Sequence, residues 1–508
     1  MTTARLTGPR WWRDAVVYQI YPRSFADANG DGVGDLRGIT SRVDHIAALG
    51  VDAVWLSPIF RSPMKDFGYD VSDYCSVDPV FGTDDDLDEL IEALHARGIR
   101  LLLDWVPNHT SDQHPWFVES RSSRENPKRN WYIWRDPRPD GSPPNNWRAV
   151  FKGVPAWTLD DATGQYYFHF FLAEQPDLNW ANPEVEAAMH ATLRHWLDRG
   201  VDGFRADVVH LIGKGEELAD VPHDQAAAAL ILVDEPFTHE LLRRIRSLLD
   251  EYPQHPMMVG EVYLLGPGQT VTYLGDDDEL HLTFDFRTIH TPWSARRFGD
   301  VIRPVQEEFA EPAWPTFVLS NHDRSRHRTR FGSDAQARAA AVLSLTMRGT
   351  PFLYAGEELG LEDAVVPADR VVDPDGRDPC RAPIPWTRDD THGWGPNPWL
   401  PFPPHPAEHS TEAQDDDPTS MLHLYRRLLT LRRATPALQR GTWEPLDTVD
   451  GMLGYVRAHG DERVTVLVNF DDDTRATGLT GELLLSSVHG RSAFDGSLAG
   501  YEAVVLRT

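Results

Sequence analysis

Cysteine is nearly absent: Cys75 and Cys380 are the two thiols in 508 residues. That is too few for a disulfide framework, and they are not spaced like a metal site, so free thiols in a reducing compartment are expected. Long apolar runs are missing as well. Nowhere do about 18 uncharged apolar residues follow one another, and the opening stretch MTTARLTGPRWW lacks the apolar core of a secretory signal. A soluble, cytoplasmic chain without a membrane partner is the expectation. Basic residues are scarce: 49 Lys and Arg face 78 Asp and Glu, a net charge of -29. Such a field repels phosphate backbones and anionic lipid surfaces, which excludes nucleic acid as a partner. A neutral ligand such as a sugar is indifferent to it. Internal repeats and low-complexity tails are also lacking.

The chain does have the composition of a globular protein, with 41% hydrophobic and 25% charged residues. Its length predicts two to four units, of which an α/β barrel takes up about 250 residues. Short apolar stretches at Ala15 to Ile20, Asp52 to Leu56, Ile99 to Asp104, 201–208, Met257 to Glu261, Leu282 to Phe284, Thr316 to Asp323 and Pro351 to Tyr354 read as strands. Between them lie helical patterns, among them one ending near Leu49-Gly50 and others at Thr83 to Arg97, Pro183 to Arg199 and His239 to Tyr252. Alternation of this kind predicts an α/β fold, a (β/α)₈ barrel built from residues 1–109 and 178–435. Residues 110–177 are Trp-, Pro- and Asn-rich and too long for a βα loop, so they are expected to form an inserted subdomain after the third strand. A second excursion, from Glu357 to Pro418, carries Arg381, Trp386, Trp394 and Trp399 and should wall the last strand. An amphipathic helix from Leu422 to Arg433 ends the barrel, and residues 436–508 read as a small antiparallel β-sandwich.

Chemistry concentrates at the strand ends. In Val201-Asp202-Gly203-Phe204-Arg205-Ala206-Asp207-Val208 the arginine and the second aspartate stand two positions apart, so on a strand they point the same way. An arginine beside Asp207 should keep it ionised, as a nucleophile requires; a structural ion pair is the alternative. Glu261 and Asp323 end two further strands, and His109 and His322 lie at strand ends too. Two carboxylates flanking a bond are the minimum apparatus for glycoside hydrolysis, one as neutral acid and one ionised; Glu261, with anionic neighbours, suits the acid. The 17 tryptophans add a weak hint of sugar stacking. Near the N-terminus, Asp27, Asn29, Asp31, Val33 and Asp35 place oxygen donors at every second position among glycines, the way a chain wraps a hard cation. The twelfth position from Asp27 is Gly38 where an EF-hand needs glutamate, so a structural Ca²⁺ or Mg²⁺ loop is expected rather than an EF-hand. A plain Asp/Gly surface turn is the alternative.

Six ordered motifs then stand out: Asp104-Trp105-Val106-Pro107-Asn108-His109, Gln175-Pro176-Asp177-Leu178-Asn179, Gly203-Phe204-Arg205-Ala206-Asp207, Gly260-Glu261, Ser320-Asn321-His322-Asp323, and Gly349-Thr350-Pro351-Phe352-Leu353-Tyr354-Ala355-Gly356-Glu357-Glu358. Over essentially its whole length the chain resembles the α-amylase superfamily of retaining glycoside hydrolases, above all its α-glucosidase and oligo-1,6-glucosidase branch. The resemblance implies that Asp207 is the nucleophile, Glu261 the general acid and base, and Asp323 the third carboxylate. It implies that His109, Gln175, Arg205 and His322 bind the glucose, that Asp66 and Arg381 hold its 4-hydroxyl, and that Tyr69 stacks on its ring. Phe151 and Phe171 would line the entrance, and Val208 would shape linkage preference. The expected activity is exo-acting α-glucosidase on short oligosaccharides, by a monomer or homodimer. Oligo-1,6-glucosidase, a transglucosylase, and a trehalose- or sucrose-converting enzyme are the alternatives. The stretch Gly213 to Asp234 departs from the oligo-1,6-glucosidase pattern. A non-catalytic relative would lack the three carboxylates and carry a membrane span.

Overall fold

The computed structural model describes residues 8–151, 153–215, 218–225, 234–264, 266–373 and 375–508. Eight parallel strands form its centre: β1 (Val17–Ile20), β2 (Ala53–Leu56), β3 (Arg100–Trp105), β4 (Gly203–Ala206), β5 (Met257–Gly260), β6 (Leu282–Thr283), β7 (Thr316–Val318) and β8 (Thr350–Tyr354). They are ordered β6-β5-β4-β3-β2-β1-β8-β7, so neighbours in sequence are neighbours in space, and β1 pairs with both β2 and β8. The helices between them start and stop where local chemistry dictates. The helix Asp84–Ala96 opens with a capping box between Thr83 and Asp86. Val43–Leu49 ends on Gly50, which takes the left-handed conformation a side chain resists.

Period-two alternation explains the two layers. Val17, Ala53, Leu102, Met257, Leu282, Val318 and Phe352 share one apolar cluster inside the barrel, floored by Trp11 and Trp12, whereas Tyr18, Val54, Leu101, Leu103, Phe204 and Met258 belong to the cluster that includes the helices. Following the inward set toward the carboxyl ends of the strands brings Gln19, Trp55, Asp104, Arg205 and Glu261 to one rim. Gly203 sits in β4 where a side chain has no room: its φ is +154°, and a Cβ would lie 2.1 Å from the Met257 carbonyl oxygen.

Between β6 and β7 no backbone ladder closes the ring among the described residues. The buried Thr316 hydroxyl spans the gap instead. It accepts from the Asp285 amide at 3.1 Å and donates to the Thr283 carbonyl at 2.9 Å, while Thr288 donates to the Val318 carbonyl.

Between β3 and the helix Pro183–Asp198 the chain builds a three-stranded antiparallel sheet from Trp134–Arg135, Trp157–Asp160 and Gln165–Phe168, packed through Phe117, Tyr132, Trp134 and Tyr167. The excursion after β8 turns back over the N-terminal loop: the Trp386 indole donates to the Phe25 carbonyl, and the Gly395 amide donates to Asp27. At the C-terminus five antiparallel strands run in the order 442–446, 452–459, 462–469, 503–507, 482–486. One face, through Val464, Val466, Val468 and Val505, joins the barrel's core; the other carries Leu467, Val504 and Leu506 under Leu498. The second layer of this domain is therefore slight, a two-stranded ribbon of 475–476 and 497–498. Two buried arginines meet around the end of the helix Asp334–Thr346, where the macrodipole favours cations: Arg457 of the C-terminal sheet donates to the Thr346 carbonyl and so joins that sheet to the barrel, and Arg432 of the helix Met421–Ala434 donates to the carbonyls of Leu345 and Gly349. No helix among the described residues is long and apolar enough to cross a membrane.

Thr316→Val keeps the side chain's shape but leaves a buried amide and carbonyl unpartnered at the seam. It should lower the unfolding free energy by about 1–3 kcal/mol, read as a fall in thermal midpoint that Thr316→Ser largely restores. An unchanged midpoint in the valine variant would mean that packing alone closes the barrel.

Candidate active site

At the rim, one guanidinium serves three carboxylates. Arg205 Nη1 donates to Asp104 Oδ1 at 2.8 Å and to Asp207 Oδ1 at 2.6 Å, and Nη2 donates to Glu261 Oε2 at 2.5 Å. The two-residue spacing of Arg205 and Asp207 thus brings both to the same side of β4. The expectation that Arg205 alone keeps Asp207 ionised does not survive this sharing. Burial pushes Asp207 well above the usual carboxylate range; Arg205 opposes, and Glu261 and Asp104 add to the rise. Asp104 behaves alike, pushed up to about 7 by burial against Arg205. One positive charge shared among three carboxylates does not offset the burial of Asp104 and Asp207, and the protons these two retain belong to the pair rather than to either residue.

Beside it runs a directed chain of hydrogen bonds. Gln19 Nε2 lies 2.7 Å from His322 Nδ1, His322 Nε2 lies 2.5 Å from the Tyr69 hydroxyl, and that hydroxyl donates to Asp104 Oδ2 at 3.2 Å. Burial pushes His322 down to about 3, so the ring is neutral and can accept from Gln19 while donating to Tyr69. His109, also held below its usual range by burial, sits between the Tyr69 carbonyl and the Gln175 amide, each 3.1 Å from Nε2.

Asp323 has the opposite electrostatics to Asp207. Burial alone would raise it, but His322, Arg377, Arg381 and Arg205 hold it well below the usual range. Here one expected residue is replaced. Arg381 is fully buried behind the site, donating to the His322 carbonyl at 2.8 Å and to Asp323 at 3.0 Å, with its guanidinium 5.1 Å from the centre of the Tyr21 ring. The arginine that meets Asp66 in the cavity wall is Arg377, at 2.6 Å, and it also reaches Asp323 at 3.3 Å. Asp373, four residues earlier, receives Nε and Nη2 of Arg377 and fixes its plane. Gln175 donates to Asp66 from the other side at 3.0 Å.

The cavity these groups surround has a volume of about 190 Å³. Asp66, Tyr69, His109, Phe151, Phe171, Asp207, Val208, Glu261 and Asp323 line it, whereas Gln175, Arg205, His322 and Arg381 act from behind the surface. Phe151 and Phe171 come from the inserted segment, their rings 5.7 Å apart, and Arg377 lies 5.4 Å from the Phe151 ring centre. Two excursions from opposite ends of the barrel therefore meet over one pocket. Val208 has φ +36°, a left-handed conformation that costs a β-branched residue about 1–3 kcal/mol. The turn aims its amide at Glu261 Oε2, 3.2 Å away, and its side chain packs against the apolar cluster of the inserted segment, which includes Phe168, Phe170 and Leu211. Of the stretch 213–234, residues 216–217 and 226–233 lie outside the described residues. Within the remainder, Lys214 pairs with Asp177 at 3.0 Å and donates to Asn108 at 2.7 Å, behind His109.

The sequence reading missed Arg377 and the wall formed by Tyr263, Phe286, Ile289, His290 and Arg324. Tyr263 had a signal, since it stands two positions after Glu261.

In the Asp27 loop the side-chain oxygens turn inward onto the backbone. Asp27 accepts from the amides of Gly30 and Gly32, Asn29 from Asp31, Asp31 from Val33, and Asp35 from Ala28, Asn29 and Gly38. Among the described residues no three His, Cys, Asp or Glu groups come together as a ready metal cluster.

Comparison with known proteins places the chain among relatives. The family described as alpha amylase, catalytic domain, matches residues 19–441. A protein of Rhizobium meliloti (strain 1021) named "Probable alpha-glucosidase" is 43% identical over 93% of this chain and 92% of its own. The oligo-1,6-glucosidase of Parageobacillus thermoglucosidasius is 38% identical over 94% of each. Among solved structures, the alpha-glucosyl transfer enzyme XgtA superposes with a TM-score of 0.92 at 40% identity, over 98% of this chain and all of that one. The trehalulose synthase MutB of Pseudomonas mesoacidophila MX-45 gives 0.93 at 34% identity, over 98% and 100%. The chain belongs to the α-amylase catalytic-domain family, in its α-glucosidase branch.

Proposed function

We propose that the protein is a retaining, exo-acting α-glucosidase that releases α-glucose from the non-reducing end of short oligosaccharides. The observation that carries the reading is the bridging of Asp207 and Glu261 by the two terminal nitrogens of Arg205 at the floor of a closed pocket. That arrangement keeps the two carboxyl groups within one guanidinium's reach, the close spacing of a retaining pair, with no room for water to attack from the opposite face. Asp207 attacks the anomeric carbon while Glu261 protonates the departing oxygen; a water deprotonated by Glu261 then displaces Asp207 and restores the α-anomer. Arg205 follows the charge as it moves from one carboxylate to the other. Asp323, held ionised by Arg377 and Arg381, binds sugar hydroxyls beside the developing positive charge. Asp66 and Arg377 close the end of the pocket around the terminal ring, so starch should be a poor substrate. A second reading, isomaltose-type substrates, is favoured by Val208, whose side chain forms part of the wall next to Asp207. Parallel assays on maltose, isomaltose, sucrose and trehalose, following the anomer released, separate these readings and expose transglucosylation.

We also propose that the N-terminal loop holds a structural Ca²⁺ or Mg²⁺ through Asp27, Asn29, Asp31, the Val33 carbonyl and Asp35. An oxygen that accepts one amide keeps a second lone pair, so the observed turns are compatible with a hard cation, which would tie the loop to the excursion after β8.

Asp207→Asn should reduce turnover on the order of 10⁴-fold. Glu261→Gln, given an aryl α-glucoside whose leaving group needs no acid, should accumulate a glucosyl ester on Asp207 visible by mass spectrometry. Ordinary hydrolysis by either variant would reject the mechanism.

Asp104 carries a folded-state value of about 7 against an ordinary 3.8, so its protonation favours the fold at low pH and that contribution is lost as pH rises through this interval. Asp104→Asn removes the loss and frees Arg205 for Asp207. The variant's stability should fall less between these pH values, and the acid limb of its kcat/KM profile should move to lower pH. An acid limb that stays in place would show that Asp104 does not compete for Arg205.

Chelation should lower the thermal midpoint by the equivalent of about 2–3 kcal/mol, reversed by added Ca²⁺ or Mg²⁺. Asp31→Asn should abolish that response; a midpoint indifferent to chelator would remove the cation from the account.

A further inference from the structure

Asp373 is buried and does not line the pocket, yet charged groups of the site are arranged around it. Its Oδ2 accepts from the amides of Asp375 and Arg377 at 3.0 and 2.8 Å, while the amides of Val372 and Asp373 donate to Asp378 Oδ2. The loop thus fixes where this carboxylate stands. Burial alone would raise it, but Arg377 and Arg381 hold it below its usual range, so it is ionised. Arg381 also ties it to the site, with Nη1 3.3 Å from Asp373 Oδ1 and Nη2 3.0 Å from Asp323 Oδ1. A guanidinium has five N–H groups, and the partners of Arg377 can be set against them. Nε and Nη2 lie side-on to Asp373 at 3.0 and 2.6 Å; the other Nη2 hydrogen goes to Asp66 Oδ1 at 2.6 Å, and one on Nη1 to Asp323 Oδ1 at 3.3 Å. Among the described residues this leaves one N–H, on Nη1, at the pocket wall, where Asp375 and Arg324 are the neighbouring charges. A two-bond fork is the strongest pairing an arginine makes with a carboxylate. With its Nε edge free, Arg377 would turn that fork onto Asp66 or Asp323, quenching one and abandoning the other. Asp373 occupies the edge and leaves each pocket carboxylate a single bond.

We propose that Asp373 is a positioning residue for chain-end selection: by clamping the outer edge of Arg377 it holds the inner edge between Asp66 and Asp323, where the terminal ring presents its 4-hydroxyl. Asp373 touches no substrate and acts through Arg377. The proposal rests on the reading of Asp66 and Arg377 as the closed end of the pocket, and it places the control of that end in a charge outside the cavity.

Two substrates, 4-nitrophenyl α-glucoside and its 4-deoxy analogue, isolate that hydroxyl. The wild type should prefer the parent on the order of 10²-fold or more in kcat/KM, as a site built to bind a hydroxyl does. Asp373→Asn keeps the shape and removes the charge, and it should shrink that preference about tenfold, the scale of one lost charge-assisted hydrogen bond. Asp373→Ser retains an acceptor for the two amides and should behave alike, so the test survives an asparagine variant that does not fold. In an Arg377→Ala background the asparagine substitution should move the ratio by less than about twofold. Equal losses on both substrates would reduce Asp373 to a structural ion pair, and a ratio that still shifts without Arg377 would break the assigned route; either overturns the proposal. A wild type indifferent to the 4-hydroxyl would instead overturn the terminal-ring reading itself.

Discussion

Arg205 is the charge on which the rest of the site depends. It is buried, it belongs to β4, and it is the shared partner of Asp104, Asp207 and Glu261. With all three carboxylates ionised the cluster would carry two uncompensated negative charges in a desolvated floor, and burial resists that strongly. Protons held in common are the way out, and they suit a reaction in which one carboxyl must begin neutral and another must attack. Asp323, a short distance away, is surrounded by enough positive charge to remain ionised. Two acidic environments of opposite character therefore lie on one rim, which is how a single fold assigns different tasks to chemically similar side chains.

The barrel makes this possible because its strands alternate. The same inward positions that supply Val17, Ala53, Leu102 and Val259 to the floor supply Gln19, Trp55, Asp104 and Glu261 one step nearer the carboxyl ends. An apolar layer beneath a polar one gives the cluster its rigidity: the groups at the rim are held by a packed core and by each other. The two excursions then convert an open rim into a pocket, with Phe151 and Arg377 meeting above it.

Much of this was legible in the chain. Eight strands separated by helical patterns, and carboxylates at the strand ends, identify the barrel and its chemical face because both follow from short periodicities. What was not legible depends on loops and on closure. Asp378 to Arg381 form a single helical turn, and only its packing decides that Arg381 lies behind the site while Arg377 enters it. Val208 is a β-branched residue in a left-handed turn, where residue preference argues the other way and tertiary packing against the cluster that includes Phe170 and Leu211 prevails. The charge on Asp207 was misjudged for a different reason: a pairwise view of Arg205 cannot reveal that two further carboxylates claim it. The seam between β6 and β7, bridged by one hydroxyl, leaves no mark in a pattern of apolar residues.

Arg432 and Arg457 have a consequence for how the gene product can be cut down. Among the described residues neither has a carboxylate partner; burial pushes Arg432 to about 10 and Arg457 well below its ordinary value, and both are held by carbonyls, Arg432 by those of Leu345 and Gly349, Arg457 by those of Thr346, Gly441 and Thr442. Deleting the C-terminal sheet would strip Arg457 from that junction and uncover the face of the helix Asp334–Thr346 that packs on strands 462–469 and 503–507. The catalytic barrel is for that reason not a module that engineering can liberate from its appendage: the appendage supplies the lid on the helix that sets the last strand in place.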